Sequence, residues 1–351
     1  MRTLAVRLDS MGDVLVTGPA LRALAATSDR LDLLCGPLGR SAGGLLPGVE
    51  EVLCWAAPWI LADPPPVEAE AIEELRATVA GRCYDRAVVF TSFHQSPLPT
   101  ALVLRLAGVP WIGAISVDYP GSLLDLRHRV EEDLPEPERA LSLALACGGA
   151  LPSGDDGRLA LRPGLGARCG GDRPYVVLHP GATAPARAWP PDRFRSLCAL
   201  LAERGCDVVV TGGPGEQSLT AYVAGDRGRD LGGLLDLEEL AEVLAGARAV
   251  VVGNTGPAHL AAAVGTPVVS LYAPTVPAVR WAPYGVARVL LGDQSAPCRE
   301  TRARTCPVPG HPCLTSVTPS DVVAALTELC GLPDGRIELA GDADHLTGRN
   351  A

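Results

Sequence analysis

Short apolar runs alternate with amphipathic stretches along almost the whole of this 351-residue chain, and they do so in two separate series. In the first, Leu4–Leu8, Leu31–Cys35, Val49–Cys54, Arg86–Phe90 and Trp111–Ile115 read as strands. Helical spacing fills Val14–Ala25, Ala69–Ala80 and Leu98–Ala107, and Glu136–Cys147 closes the series. In the second, the strands are Tyr175–Leu178, Asp207–Val210, Ala249–Gly253, Val268–Tyr272 and Ala287–Leu290. The helices there are Asp192–Arg204, Leu237–Ala245 and Pro257–Val264. Such alternation predicts an α/β protein whose parallel sheets are covered by helices on both faces.

Between the series the pattern breaks. Pro152–Gly157 and Gly164–Gly171 are rich in Gly, Pro and Asp and show no periodicity. Residues 151–173 therefore read as a connection, with one short strand at Arg158–Leu161. A chain this long exceeds one ordinary core, so residues 1–150 and 174–330 form two domains and 331–351 a polar tail. Two α/β units in one chain leave a cleft between them, where ligands favour binding.

The first strand runs into Asp9-Ser10-Met11-Gly12-Asp13. This turn lies at the carboxyl edge of the sheet, where open α/β folds bind ligands. Asp13 falls at the start of a helix, whose positive end keeps a carboxylate ionised. Two readings stand: Asp13 is a helix cap, or it is a general base at a cleft edge. The Phe93-His94-Gln95-Ser96 loop occupies the same edge three strands later.

Three motifs in the second half carry chemistry. His179-Pro180-Gly181-Ala182-Thr183 follows a buried strand, with Arg187 just beyond. A hydroxyl, a guanidinium and backbone amides there would hold a phosphate, or the segment is an ordinary strand-to-helix loop. Thr211–Glu216 is glycine-rich, and Glu216 either accepts from ribose hydroxyls or complements its helix end. Gly253-Asn254-Thr255-Gly256-Pro257-Ala258-His259 has a cap residue, then a proline in the first turn. Amides exposed there suit a diphosphate, and His259 faces either that anion or the core.

A formal charge of −10 excludes a dedicated nucleic-acid binder, since phosphate contacts need a basic face. There is no lysine, so every fixed cation is arginine. No signal-peptide pattern precedes the first strand and no apolar run is long enough to span a bilayer, which points to the cytoplasm. Membrane contact is at most peripheral, through a patch at Arg299, Arg302 and Arg304. Cys35, Cys54, Cys147, Cys198 and Cys206 sit singly in apolar segments and read as buried hydrophobes in a reducing compartment. Cys298, Cys306, His311 and Cys313 hold three thiols and an imidazole, a tetrahedral metal set by residue type. Their spacing lacks a Cys-x-x-Cys pair, and free thiols are the expected state.

Taken in order, Arg7-Leu8-Asp9-Ser10-Met11-Gly12-Asp13 with Pro19-Ala20-Leu21, His179-Pro180-Gly181, Trp189-Pro190, Gly212–Glu216 and Thr255–Leu260 resemble glycosyltransferase family 9, the ADP-heptose heptosyltransferases. The resemblance runs from Met1 to about Leu329. It implies a GT-B fold, with two Rossmann-like domains facing across a cleft. It further implies a metal-independent, inverting transfer from a nucleoside-diphosphate sugar, ADP-heptose, with no cofactor. Asp13 then matches the catalytic base, and Thr183, Arg187, Glu216, Asn254, Thr255, Gly256 and His259 match the donor side. Ser10, Gly12, His94 and Gln95 fall on the acceptor side. Two positions depart from the family pattern: Asn254 stands in place of Asp, and Arg187 in place of Lys. The acceptor hydroxyl belongs to a glycan, a glycolipid or a small molecule. The rival readings are a nucleotide-sugar epimerase or hydrolase on the same fold, and a non-catalytic nucleotide-sugar-binding protein.

Overall fold

A computed structural model of the chain describes residues 1–61, 63–130, 133–166 and 175–332. The first half contains β1 (Arg2–Arg7), α1 (Met11–Val16), α2 (Gly18–Ala25), β2 (Arg30–Cys35), α3 (Arg40–Leu45), β3 (Glu51–Cys54) and α4 (Ala69–Ala80). It continues with β4 (Arg86–Val89), α5 (Leu98–Leu106), β5 (Ile112–Ile115), β6 (Leu126–His128) and α6 (Glu136–Ala146). The second half opens with β7 (Tyr175–His179), α7 (Pro191–Glu203), β8 (Asp207–Val210), α8 (Gln217–Ala224), β9 (Arg229–Asp230) and α9 (Leu237–Gly246). It ends with β10 (Ala249–Gly253), α10 (Gly256–Ala263), β11 (Val268–Leu271), α11 (Ala278–Trp281), β12 (Arg288–Leu291), α12 (Pro312–Thr315) and α13 (Pro319–Cys330).

The strands form two six-stranded sheets, β3-β2-β1-β4-β5-β6 and β12-β11-β10-β7-β8-β9, in which the neighbouring strands pair in parallel. The two orders are the same once the second is renumbered from its own first strand. Each sheet therefore reverses its winding between its first and fourth strands, β1/β4 and β7/β10. At such a switch point the loops diverge to opposite faces and leave a crevice. The central strands are apolar throughout, as sheets covered on both faces require: Leu4, Ala5 and Val6 in β1, and Val250, Val251 and Val252 in β10, are fully buried.

Several expectations are corrected. The helix expected over Val14–Ala25 is two, divided at Thr17. Pro19 has no N–H for the Leu15 carbonyl and its ring crowds that turn, while Thr17 Oγ1 donates back to the Asp13 carbonyl at 2.8 Å. Arg158–Leu161 is not a strand. Its polar groups go elsewhere, the Arg158 carbonyl to Arg22 and the Arg162 N–H to the Leu45 carbonyl, both at 2.8 Å. Cys54 is exposed, because β3 is the edge strand and that side chain faces outward. The edge strands β6 and β9 and the helices α3 and α13 were not anticipated. The connection at residues 167–174 and the tail at 333–351 lie outside the described residues. Among those described, no helix is long and apolar enough to cross a membrane.

Candidate active site

The two switch points face each other across a cavity of about 410 Å³. Four strand-to-helix loops supply most of its wall. Asp9, Ser10, Gly12 and Asp13 follow β1, and Ser92, Phe93, His94 and Gln95 follow β4. Thr183 and Arg187 follow β7, and Asn254, Thr255, Gly256 and His259 follow β10. Every residue expected on the base, donor or acceptor side lines this cavity except Glu216. That carboxylate turns to the Gly213 N–H at 2.7 Å and lies against Gly181, where a Cβ would overlap it.

Asp13 caps its helix and also faces the cleft. It is the third residue of α1 and accepts from the Ser10 N–H at 3.1 Å and the Ser10 hydroxyl at 2.6 Å, closing a capping box. Its other oxygen accepts from Arg7 Nη2 at 3.1 Å. The same carboxylate still opens onto the cavity. The cap fixes its rotamer, so it faces the cleft without further ordering.

Beneath it lies a buried charge cluster that sequence reasoning missed. Arg7 is 1 % exposed. It pairs with Asp9 at 2.9 Å, Asp13 at 3.1 Å and Glu136 at 3.9 Å, and donates to the Ser92 hydroxyl at 3.1 Å. Burial alone would push its guanidinium down, yet the three carboxylates together hold it up. Burial pushes Asp9 up to about 6, against the pull of Arg7 and the hydrogen bond from Gln95. Glu136 is wholly buried and also pairs with Arg139 at 3.5 Å. An arginine at the end of a buried strand and an aspartate two residues on are the local signal, since charges are rarely buried unless paired.

The opposite wall is short of partners. Arg187 Nε, Asn254 Nδ2, Thr255 Oγ1 and His259 Nδ1 are buried and make no hydrogen bond within the protein. An unsatisfied buried polar atom costs about 1–3 kcal/mol, so four on one wall leave hydrogen-bonding capacity beside the cavity. Burial, helped by no carboxylate at contact distance, pushes Arg187 down. Burial likewise pushes His259 down to about 4, against the pull of Asp13, so the ring is neutral. His94, exposed at its outer edge, is pushed down to about 4 by its enclosed face and then by Arg302.

Arg302 and Arg304, expected in a surface patch, are exposed and also line the cavity. The candidate metal set is not assembled: the His311 ring pairs with the Ala186 carbonyl at 3.0 Å, and Cys306 points at the Val308 carbonyl. Among the described residues no three His, Cys, Asp or Glu side chains are placed to hold a metal ion. Burial, then Cys298 and Cys306 nearby, push the Cys313 thiol up to about 11.

Comparison with known proteins agrees with this arrangement. The model of glycosyltransferase family 9 (heptosyltransferase) matches residues 100–311. Lipopolysaccharide heptosyltransferase 1 of Salmonella typhimurium is 30% identical over 292 residues, which is 79% of this chain and 90% of that protein. Lipopolysaccharide heptosyltransferase 2 of Escherichia coli K12 is 27% identical over 309 residues, covering 79% and 84%. Among solved structures, E. coli heptosyltransferase WaaC with ADP-2-deoxy-2-fluoro heptose superposes with a TM-score of 0.71 at 25% identity, covering 93% of this chain and 99% of that one. The glycosyl transferase family 9 protein of Veillonella parvula superposes at 0.76 with 16% identity, covering 94% and 97%. The two facing parallel sheets are the GT-B arrangement of these proteins.

Proposed function

The chain belongs to glycosyltransferase family 9, and from that premise we propose that it moves heptose from ADP-heptose to a hydroxyl of a glycan or glycolipid, with inversion and without a metal ion. The observation that carries this reading is the pairing of two walls. A carboxylate fixed by its own helix start faces four buried polar atoms that lack partners.

In this mechanism the acceptor oxygen attacks the anomeric carbon as Asp13 takes its proton. The bond to the diphosphate breaks on the opposite face, and its electron pair leaves with the nucleotide. One displacement gives inversion. Arg187 Nε, Thr255 Oγ1 and the first amides of α10 meet the departing charge, in the manner of fixed dipoles that need no reorganisation. Asn254 Nδ2, which lacks a partner in the protein, meets a donor-sugar oxygen. Glu216, outside the cavity wall, is left for the nucleoside end.

The test is transfer from ADP-heptose with an excess of chelator present, the anomeric configuration of the product being read by NMR, together with calorimetry of a nucleotide-sugar panel on wild type and Arg187→Ala. Selective binding of ADP-heptose, weakened by the substitution, with inverted product and undiminished rate in chelator, is expected. Loss of the rate in chelator, or retained configuration, overturns the mechanism. Selective binding of another nucleotide sugar overturns the donor.

A further inference from the structure

The segment between β12 and α12 forms a strap over the donor wall. Its amides at Glu300 and Arg302 donate to the carbonyls of Pro274 and Thr275, both at 2.8 Å. It also grips the Pro185–Arg187 turn from two sides. The Ala186 N–H donates to the Arg304 carbonyl at 2.9 Å, and the His311 ring pairs with the Ala186 carbonyl. The turn that carries Arg187 is thus latched to the strap that carries Arg302 and Arg304.

Three guanidinium groups are brought to one cavity in this way. Among the described residues neither Arg187 nor Arg302 forms an ion pair, and Arg304 has only Asp63, at 3.6 Å on the surface. Arg187 lowers the hold of Arg302 on its proton, and Arg304 lowers that of Arg187, in each case after the larger effect of burial. Arg302 also feels Asp9 and Asp13 from the other wall, and His94 feels Arg302. It therefore stands between the donor wall and the base. Like charges gathered with few counterions are unfavourable in an empty cleft and become favourable around a polyanion. Arg302 is held there at some backbone cost, with φ of 59° in the left-handed region, as is Glu300 at 61°.

We propose that Arg302 is a catalytic residue that contacts the departing diphosphate together with Arg187, with Arg304 as the outer member of the cluster. This rests on the transfer reading above. As the glycosidic bond to the diphosphate breaks, the leaving group gains a full negative charge. A cation beside it is then worth more in the transition state than in the bound donor.

The left-handed backbone supplies a clean variant. Arg302→Gly removes the guanidinium and suits that φ better than any side chain, and the Thr275 hydrogen bond is made by the backbone and survives. Arg302→Lys keeps the charge and loses the fork. ADP and inorganic pyrophosphate are titrated calorimetrically without metal, and transfer is followed by steady-state kinetics. Arg302→Gly is expected to weaken ADP by about tenfold and lower kcat by about 100-fold, with donor KM within about threefold and partial recovery in Arg302→Lys. ADP affinity and kcat equal to wild type in Arg302→Gly overturn the proposal. If wild type binds ADP yet transfers no sugar, the transfer reading falls, and the loss of ADP affinity in Arg302→Gly still upholds the anion contact. Wild type that binds neither ADP nor pyrophosphate overturns both.

Discussion

Gly12 and Gly256 meet where the start of α1 faces the start of α10. A Cβ on Gly12 would lie 3.4 Å from the Gly256 Cα and 3.0 Å from the His259 ring, and a Cβ on Gly256 would overlap the tip of Met11. Two helix starts from different sheets approach this closely only without side chains. The consequence for the site is that His259 and Asp13 share one wall junction.

The two glycines respond differently to alanine. Gly12→Ala pushes against a buried ring, and His259 is displaced. Gly256→Ala meets only the flexible end of Met11, which can swing aside. Gly12→Ala is expected to lower kcat/KM about tenfold, while its stability changes by less than about 1 kcal/mol because alanine favours the helix. Gly256→Ala stays within about threefold of wild type. Steady-state kinetics beside thermal melts check this, and the reverse order of sensitivity contradicts it.

Asp13→Asn keeps the shape and removes the proton acceptor. Transfer is expected to fall by about 1,000-fold with ADP affinity within about threefold. Measurable transfer near the wild-type rate would remove Asp13 from the chemistry.

Arg7 holds Asp9, Asp13 and Glu136 together while almost wholly buried. Arg7→Met leaves three buried carboxylates without their cation, and the expected loss is about 3–5 kcal/mol. Arg7→Lys recovers part of it. Urea unfolding midpoints read the difference, and a loss below about 1 kcal/mol in Arg7→Met would mean that Arg139 alone neutralises the cluster.

Two of the shifted groups should act on the pH dependence of stability in opposite senses. His259 is pushed from 6.5 down to about 4, so the folded protein binds fewer protons than the unfolded chain across that window. Its contribution is present above 6.5 and is lost as pH falls, by at most about 1.4 kcal/mol per pH unit. Asp9 is pushed from 3.8 up to about 6, so the folded protein binds more protons across that range. Its contribution falls as pH rises. His259→Gln is therefore expected to flatten the rise of stability between pH 4 and 6.5, and Asp9→Asn to steepen it. Denaturant unfolding at a series of pH values gives both slopes, and equal slopes in all three proteins refute the assignment.

Much of the fold was legible because helix and strand periodicity is local. Ala69–Ala80, Asp207–Val210 and Ala249–Gly253 were bounded in the sequence as they stand in the structure. The misses have causes. Leu126–His128 and Arg229–Asp230 are short polar edge strands with no alternation to detect. The break at Thr17 depends on a proline placed inside an otherwise helical pattern. Cys54 was read as buried from its apolar neighbours, but only the sheet order makes β3 an edge.

For the site, the sequence determined which loops would follow strands, and hence that Asp13, His94, Arg187 and Asn254 would stand at sheet edges. Strand, turn and helix start are set by neighbours along the chain, so a one-dimensional pattern contains them. Only the tertiary structure decided that these four edges belong to two facing switch points, since strand order is fixed by how helices pack across each sheet. It also decided that Glu216 would stay outside the cavity while Arg7 became the buried cation beneath Asp13. Arg302 shows the limit most clearly. It comes from a strap beyond the last strand, and hydrogen bonds to Thr275 and the Ala186 turn bring it beside Asp13, which is some 290 residues earlier in the chain. Burial and long-range hydrogen bonding settle such pairings, and neither leaves a local trace in the sequence.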